Sequence, residues 1–338
     1  MINVNILTCF NHSLFDHQLD SNRFSKQYSF YENSILDIEW DMVIVFEAIR
    51  SPKTIQCKKG GLVFISGEPP MGSVYSTSFL KQFDNIFTAH PKIKKINNII
   101  RHQYFNDWHF GFDYSNKKHK YNFEEIVQME VPHKSKNISI ITSSLAVLPF
   151  HLKRLDFITK IKESLGNEID CYGRGFNFVN DKADAILPYR FHICIENTSM
   201  NDLWTEKFAD PLLGFSIPIY IGCSNMEEYF PKGSFFSLNI NDVDGALNIL
   251  NEILADPIKC YNEKLEKLLQ ARNLLINEYN IYPTLVNLYT CHEPNFGNVI
   301  TSTIIPNFDS FEFVIRNYKL RLIRFSYKKY SILKNTLK

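Results

Sequence analysis

The stretch from residue 189 to residue 230 constrains the fold of this chain more than any other part. It begins with the apolar run Phe191 to Ile195, whose branched side chains predict a buried strand. Thr205 is a candidate N-cap for a short helix that ends near Gly214. Ile217 to Ile221 predicts a second buried strand. Parallel strands joined by a helix form the βαβ unit of a nucleotide-binding domain, whose ligands bind at the carboxyl ends of the strands.

The rest of the chain alternates strands and helices in two halves. Predicted strands cover Val4–Thr8, Met42–Phe46, Leu62–Ser66, Ile86–Ala89, Ile138–Thr142, Ile169–Tyr172 and Ser234–Leu238, and predicted helices cover 75–83, 149–165, 243–254 and 257–279. The polar, lysine-rich residues 113–136 indicate a linker. We therefore expect an N-terminal α/β domain over 1–130, a C-terminal α/β domain over 137–300 and a basic tail over 301–338.

Charge and cysteine content exclude several classes of protein. The formal net charge is +1, so no overall positive field attracts nucleic acid. Seven cysteines are scattered without a CxxC pair, which favours buried free thiols in a reducing compartment over a zinc site. The first residues lack a signal-peptide pattern, and no apolar window is long enough for a membrane span. We expect a cytoplasmic protein.

In their order and spacing, the polar residues of the stretch that begins at residue 189 resemble the donor-binding signature of the family 10 glycosyltransferases, the α-1,3/1,4-fucosyltransferases. In that family a strand ending in Glu-Asn-Ser precedes Thr-Glu-Lys, a helix and a strand with Pro and Gly. Here the matching residues are Glu196-Asn197-Thr198, Thr205-Glu206-Lys207, Pro218 and Gly222. The resemblance implies an α/β fold of the GT-B type, in which two Rossmann-like domains face a cleft. It also implies inverting sugar transfer from GDP-fucose, with 1–130 on the acceptor side and 137–300 holding the donor.

The resemblance assigns roles within this signature. Lys207 would bind the diphosphate, Glu206 the ribose hydroxyls and Asn197 the sugar hydroxyls, with Glu196 and Thr205 in the same donor site. A lysine at the positive end of a helix dipole also suggests a nearby anion on physical grounds. The alternatives are an ordinary first-turn carboxylate for Glu206 and a loop-starting residue for Asn197.

Two arginines before the signature are further candidates. Arg174 lies between two glycines after a strand, where backbone can approach a phosphate and a guanidinium can donate to two oxygens. It resembles the family's Tyr-Gly-Arg segment, whose arginine contacts the donor pyrophosphate; the alternative is a surface turn. The family has an arginine at a position similar to that of Arg154, so Arg154 is a candidate for a supporting or structural role.

Glu68 is the candidate catalytic base. It follows the strand 62–66 and precedes two prolines, so it is a carboxylate at a strand end in a rigid turn. The segment resembles the family's Glu-Ser-Pro region, whose glutamate is the proposed base. The alternative is an exposed glutamate in a proline turn. A useful base here would need a pKa raised by burial.

Some features depart from the family or imitate other sites. Leu203 replaces a tyrosine near the nucleotide, although Trp204 follows it and offers an aromatic ring. The aromatic residues 105–112 are either an acceptor surface or, as we favour, core and loop. Asp242-Val-Asp244 resembles a metal-binding pair, but a helix N-cap at Asp242 is the better interpretation.

The tail from 313 to 338 has eight basic and no acidic residues, interspersed with apolar ones. This pattern favours an amphipathic helix on an anionic inner-membrane surface, and the alternative is a solvated helix packed on the N-terminal domain.

The function that these features favour is fucose transfer to a hydroxyl of a bacterial surface glycan, either lipopolysaccharide O-antigen or capsule. No cofactor is required, no metal site is expected, and a divalent metal would be at most an activator. Two alternatives stay open: the same fold with another NDP-sugar donor, and a non-catalytic membrane-associated binding protein.

Overall fold

The computed structural model describes residues 1–68, 74–94, 96, 98–103, 105–144, 149–291 and 297–307, with positions 318, 321, 322, 325 and 326. The chain forms two compact units. Unit 1 comprises Met1–Asn106 and Asn280–Leu322, and unit 2 comprises Asp107–Tyr279 and Ile323–Lys338. The division therefore differs from the expected one, because residues 107–130 belong to unit 2 and the chain returns to unit 1 at Asn280.

The secondary structure follows in chain order. The strands are β1 Ile2–Leu7, β2 Tyr28–Glu32, β3 Glu39–Trp40, β4 Met42–Phe46, β5 Lys53–Lys58, β6 Leu62–Ile65, β7 Asn85–Thr88, β8 Ile99–Arg101, β9 Phe112–Asp113, β10 Lys118–His119, β11 Lys136–Ile141, β12 Ile169–Tyr172, β13 Tyr189–Ile195, β14 Ile217–Ile221, β15 Phe236–Ser237 and β16 Val299–Ile304. The helices are α1 Ser21–Phe24, α2 Thr77–Leu80, α3 Phe123–Gln128, α4 Pro149–Leu165, α5 Glu206–Leu213, α6 Val243–Ala255, α7 Pro257–Asn277 and α8 Ile281–Cys291.

Unit 1 is built on a six-stranded parallel sheet in the order β2-β1-β4-β6-β7-β8. Strand β4 is buried along its whole length, as expected for a parallel strand covered on both faces. A smaller sheet pairs β16 antiparallel to β5, and β3 lies parallel to β5. The strand order reverses between β1 and β4, so the carboxyl ends of these two strands form the topological switch point of the unit.

Unit 2 has a five-stranded parallel sheet in the order β12-β11-β13-β14-β15. Its strand order reverses between β11 and β13, which repeats the arrangement of unit 1. The long helices α4, α6 and α7 supply buried residues to one core with these strands. The expected α/β class, with two Rossmann-like units, is therefore confirmed.

The structure of unit 2 tests the predicted helix N-caps and the predicted burial of the tryptophans directly. Thr205 accepts a hydrogen bond from the Lys207 amide as N-cap of α5, and Asp242 accepts one from the Gly245 amide as N-cap of α6. Trp108 is fully buried in the core, which confirms the core interpretation of that residue. Trp204 is also fully buried, so the aromatic ring that it offers belongs to the core and is not open to a ligand.

The six cysteines whose side chains the structure describes are free thiols, and four of them are buried. Within the described residues, no helix has the length and hydrophobicity that crossing a bilayer would demand. The predicted basic tail over 313–338 lies almost entirely outside the described residues.

Candidate functional site

A cavity of about 810 Å³ opens at the switch point of unit 2. Its walls come from the carboxyl ends of β11, β12 and β13 and from the first turns of α5. Five of the predicted residues line it, namely Arg154, Arg174, Asn197, Glu206 and Lys207. Glu196 and Thr205 are not among the lining residues and lie behind this wall. The topology thus brings together side chains that are more than fifty positions apart in the sequence.

Arg174 occupies the turn that follows β12. Gly173 and Gly175 adopt φ angles of +108° and +88°, which favour glycine. A Cβ at Gly173 would lie 2.0 Å from the carbonyl oxygen of Thr142, so glycine allows the ends of β11 and β12 to approach. The Arg174 side chain is exposed, and no hydrogen bond or ion pair joins it to another described residue. Its guanidinium can therefore turn toward a ligand without breaking a described contact.

Lys207 lies in the first turn of α5 between two carboxylates. Its Nζ is 3.0 Å from Glu206 Oε1 and 3.8 Å from Glu196 Oε2. Glu196 is 1 % exposed, and its carboxylate accepts bonds from the Thr205 amide at 2.9 Å and the Thr205 hydroxyl at 2.8 Å. Burial raises the pKa of Glu196, although the Lys207 ammonium opposes this. Glu196 and Thr205 therefore fix the start of α5 and the position of Lys207.

Lys182 is a site residue that the sequence analysis missed. Its Nζ is 3.1 Å from Asp210 Oδ2 and 3.3 Å from Glu206 Oε1 inside the same cavity. Although burial acts in the opposite direction, Asp210 and Glu206 raise the pKa of Lys182. Burial also raises the pKa of Glu206, but Lys207 and Lys182 outweigh it and hold that pKa well below its usual value. The Glu206 carboxylate is therefore kept ionised by two ammonium groups.

Arg154 has a supporting position. The side chain is 6 % exposed, and its Nη1 donates to Asn197 Oδ1 over 3.1 Å. Its Nη2 donates to the carbonyl oxygen of Ser143 over 3.2 Å. Burial lowers the pKa of this guanidinium. Arg154 thus orients the Asn197 amide and holds the loop after β11.

The cavity carries an excess of positive charge. The described residues that line it include the cations Arg154, Arg174, Lys182 and Lys207 and the carboxylates Glu206 and Asp210. His192 also lines it, and burial lowers its pKa to about 3, so this imidazole stays neutral at physiological pH. Cations exceed carboxylates by two among these lining residues, and Glu196 behind the wall offsets one of these charges, so the site is positive and suits an anionic ligand such as a diphosphate.

Glu68 lies in unit 1, immediately after β6, and its side chain is exposed. Its backbone amide donates to the carboxylate of Glu47, a buried residue that follows β4. The predicted base is therefore at the carboxyl edge of the unit 1 sheet, as its sequence position suggested, but its exposure does not supply the burial that was expected of a useful base. Leu203, by contrast, is 1 % exposed and does not line the cavity of unit 2.

Residues 131–259 match the family model described as Glycosyltransferase family 10 (fucosyltransferase) C-term. The chain is 33% identical over 106 residues to alpha-(1,3)-fucosyltransferase B of Drosophila melanogaster, which covers 31% of this chain and 24% of that protein. It is 34% identical over 111 residues to 4-galactosyl-N-acetylglucosaminide 3-alpha-L-fucosyltransferase 9 of Homo sapiens, covering 31% of this chain and 30% of the relative. The chain thus spans less than a third of the length of these relatives.

Among solved structures, an alpha1,3-fucosyltransferase crystal structure aligns with a TM-score of 0.47 at 17% identity, covering 78% of this chain and 81% of that chain. Every predicted site residue except Glu68 lies within the segment that matches the family model.

Proposed function

We propose that the chain is an inverting fucosyltransferase with GDP-fucose as its donor, because residues 131–259 match the family 10 glycosyltransferase model. The observation that carries the proposal is the 810 Å³ cavity at the unit 2 switch point, with its two surplus positive charges. Cavities that hold drug-sized ligands measure about 300–1,000 Å³, so a nucleotide sugar fits this volume.

In the proposed mechanism, unit 2 binds the donor and stabilises the leaving group. Arg174 and Lys207 neutralise the diphosphate as the bond between its oxygen and the fucose carbon breaks. The ionised Glu206 accepts hydrogen bonds from the ribose hydroxyls, and Asn197, oriented by Arg154, holds sugar hydroxyls. Lys182 keeps Glu206 charged while Lys207 interacts with phosphate.

The acceptor oxygen attacks the same carbon from the opposite face, which inverts its configuration, and Glu68 takes the hydroxyl proton. The acceptor in this proposal is a hydroxyl of a bacterial surface glycan such as an O-antigen or a capsule. No covalent intermediate or redox cofactor is needed, and a divalent metal is at most an activator. This reaction is proposed to take place in the cytoplasm.

Calorimetric titration of the purified chain with GDP and then with GDP-fucose tests the donor site. We expect both to bind, and Arg174→Ala to weaken GDP binding about 10- to 100-fold, because a charge-assisted hydrogen bond contributes about 1.5–3 kcal/mol. Arg174 is the sharpest probe since its side chain is exposed, whereas Lys207 also balances buried carboxylates. Lys160→Ala is the matched control, as it removes one exposed charge of unit 2 outside the cavity.

The outcomes separate the alternatives. Absence of GDP binding would contradict the proposal and favour a non-catalytic binding protein. Binding of GDP but not GDP-fucose would indicate another nucleotide sugar, and a panel of such sugars would then identify the donor by thermal stabilisation. Equal affinities for wild type and Arg174→Ala would remove Arg174 from the site.

A further inference from the structure

Glu47, a residue that the proposed mechanism does not use, has an unusual backbone and environment. It follows β4 directly with a φ of +64°, in the left-handed region that non-glycine residues seldom occupy. Its side chain is only 9 % exposed. A non-glycine residue in this region costs about 1–3 kcal/mol, and such residues cluster at functional sites. The conformation is therefore a reason to ask what the carboxylate holds.

The carboxylate of Glu47 is bonded to the segment that carries Glu68. Its Oε1 accepts hydrogen bonds from the backbone amides of Gly67 and Glu68. Its Oε2 accepts one from the Tyr75 hydroxyl over 2.6 Å. A Cβ at Gly67 would lie 2.7 Å from the Phe46 ring, so glycine at this position lets the peptide approach the carboxylate. Oε1 thus holds the Gly67 and Glu68 amides directly after β6, and Oε2 holds the Tyr75 side chain.

The charged and titratable groups around this carboxylate come from several elements. Cys9 follows β1, and Glu68 and Tyr75 come from the segment after β6. Burial raises the pKa of Glu47 to about 7, the negative charge of Glu68 acts in the same direction, and the Tyr75 hydroxyl opposes both. A carboxylate that accepts two amide bonds on one oxygen loses acceptor capacity when it is protonated.

We propose that Glu47 is a positioning residue: its buried carboxylate holds the Gly67–Glu68 backbone so that the Glu68 carboxylate is presented to the acceptor hydroxyl. The inference rests on the proposed function, in which Glu68 is the base. Positioning matters because a displacement of about 1 Å in a reacting group can cost about 100-fold in rate. Glu47 itself need not contact the substrate.

The test compares Glu47→Ala and Glu47→Gln with the matched control Glu32→Ala. Glu32 ends β2 of the same sheet, and its carboxylate likewise holds a loop, accepting bonds from the Ser13 hydroxyl and the Leu14 amide, but that loop lacks Glu68. GDP release from GDP-fucose is measured with water and with 4-galactosyl-N-acetylglucosamine as acceptors.

For Glu47→Ala we expect kcat to fall about 10- to 100-fold with an unchanged KM for GDP-fucose. Glu47→Gln keeps an oxygen for the two amides, so it should restore most of kcat while losing the wild-type pH dependence near neutrality. In ¹⁵N NMR spectra, the Gly67 and Glu68 amide signals should shift in Glu47→Ala and much less in Glu47→Gln.

A kcat for Glu47→Ala within twofold of Glu32→Ala, with unmoved amide signals, would overturn the inference. If wild type neither binds GDP nor releases it from GDP-fucose, the proposed function fails, and the inference fails with it. If wild type is active and Glu68→Gln is equally active, the assignment of the base fails. If Glu68→Gln is impaired and Glu47→Ala is not, Glu68 keeps its assignment as the base and only the proposed role of Glu47 is wrong.

Discussion

At the scale of single residues, the buried Glu47 makes stability depend on pH. Its pKa is about 7 in the folded chain against an ordinary 4.5, so the native state holds this proton more tightly than the unfolded state. Its stabilising contribution is fully present below pH 4.5 and is lost as the pH rises through 7. Glutamine does not titrate. As the pH rises from 4.5 to 8, the free energy of unfolding of wild type should therefore fall by about 3 kcal/mol relative to that of Glu47→Gln.

Urea unfolding of wild type and Glu47→Gln at pH 4.5, 6 and 8 measures this difference directly. A difference that stays constant across these values, or that changes in favour of wild type, would show that the carboxyl group does not take up its proton in the folded state.

The site residues that the sequence could predict are those with a local signature. Asn197, Glu206 and Lys207 belong to one short segment, and the topology places all three on the cavity. Lys182 joins them only through tertiary packing, since it lies in a 3₁₀ turn before β13, whereas Asp210 follows Glu206 by one turn of α5. A single lysine in a polar turn resembles any surface lysine, so its burial against two carboxylates could not be read from the sequence.

At the scale of secondary structure, burial decided which strands were predictable. Strands β13 and β14 are buried almost throughout and form continuous apolar runs, and the predicted bounds agree within two residues. Strand β2 is mostly half-buried and β16 mostly exposed, so neither gives an apolar run, and both were missed. The helix predicted over 75–83 is only α2, because Ser76 caps it and Tyr75 bonds to Glu47.

Gly173 joins the ends of two strands, and an alanine there should disturb both of them. The added Cβ would lie 2.0 Å from a backbone oxygen of Thr142, and φ is +108°. Strands β11 and β12 must then separate at the turn that carries Arg174. We expect Gly173→Ala to cost about 2–4 kcal/mol of unfolding free energy and to weaken GDP binding at least tenfold.

Gly166→Ala provides the matched control. Gly166 also has a positive φ, +56°, but a Cβ there meets no atom within 4 Å. Its substitution should cost only the left-handed penalty of about 1–2 kcal/mol and leave GDP affinity unchanged. Equal effects of the two alanines in thermal unfolding and calorimetry would mean that the close approach of β11 and β12 is unimportant.

At the scale of the whole molecule, each unit uses the same strand order and carries candidate residues at its own switch point or beside it. The two-unit organisation was predictable from alternating strands and helices, but the return of the chain to unit 1 was not. That return depends on Val299 pairing with Lys58 and on Ile281 packing into the unit 1 core. Contacts between residues so distant in sequence leave no local pattern.

The remaining feature at this scale is the basic tail. Its few described residues include Tyr318, Leu322 and Phe325, which are helical and 63%, 49% and 60% exposed. In the sequence they are four and three residues apart, which is the spacing expected for neighbours on one face of an amphipathic helix. Eight basic and no acidic residues over 313–338 complete the pattern of a helix that binds an anionic bilayer surface. We propose this peripheral contact with the inner membrane.

Vesicle co-sedimentation of the full chain tests the contact. Each Lys or Arg near an anionic surface contributes about 1 kcal/mol, and salt screens this attraction. We expect binding to phosphatidylglycerol-containing vesicles, at least tenfold weaker binding to phosphatidylcholine vesicles, and release in concentrated salt. Replacing the eight basic residues by glutamine should abolish binding and leave calorimetric GDP affinity unchanged. Equal sedimentation with both vesicle types would contradict an electrostatic contact, and absence of sedimentation with either type would favour the alternative in which the tail is a solvated helix packed on the N-terminal domain.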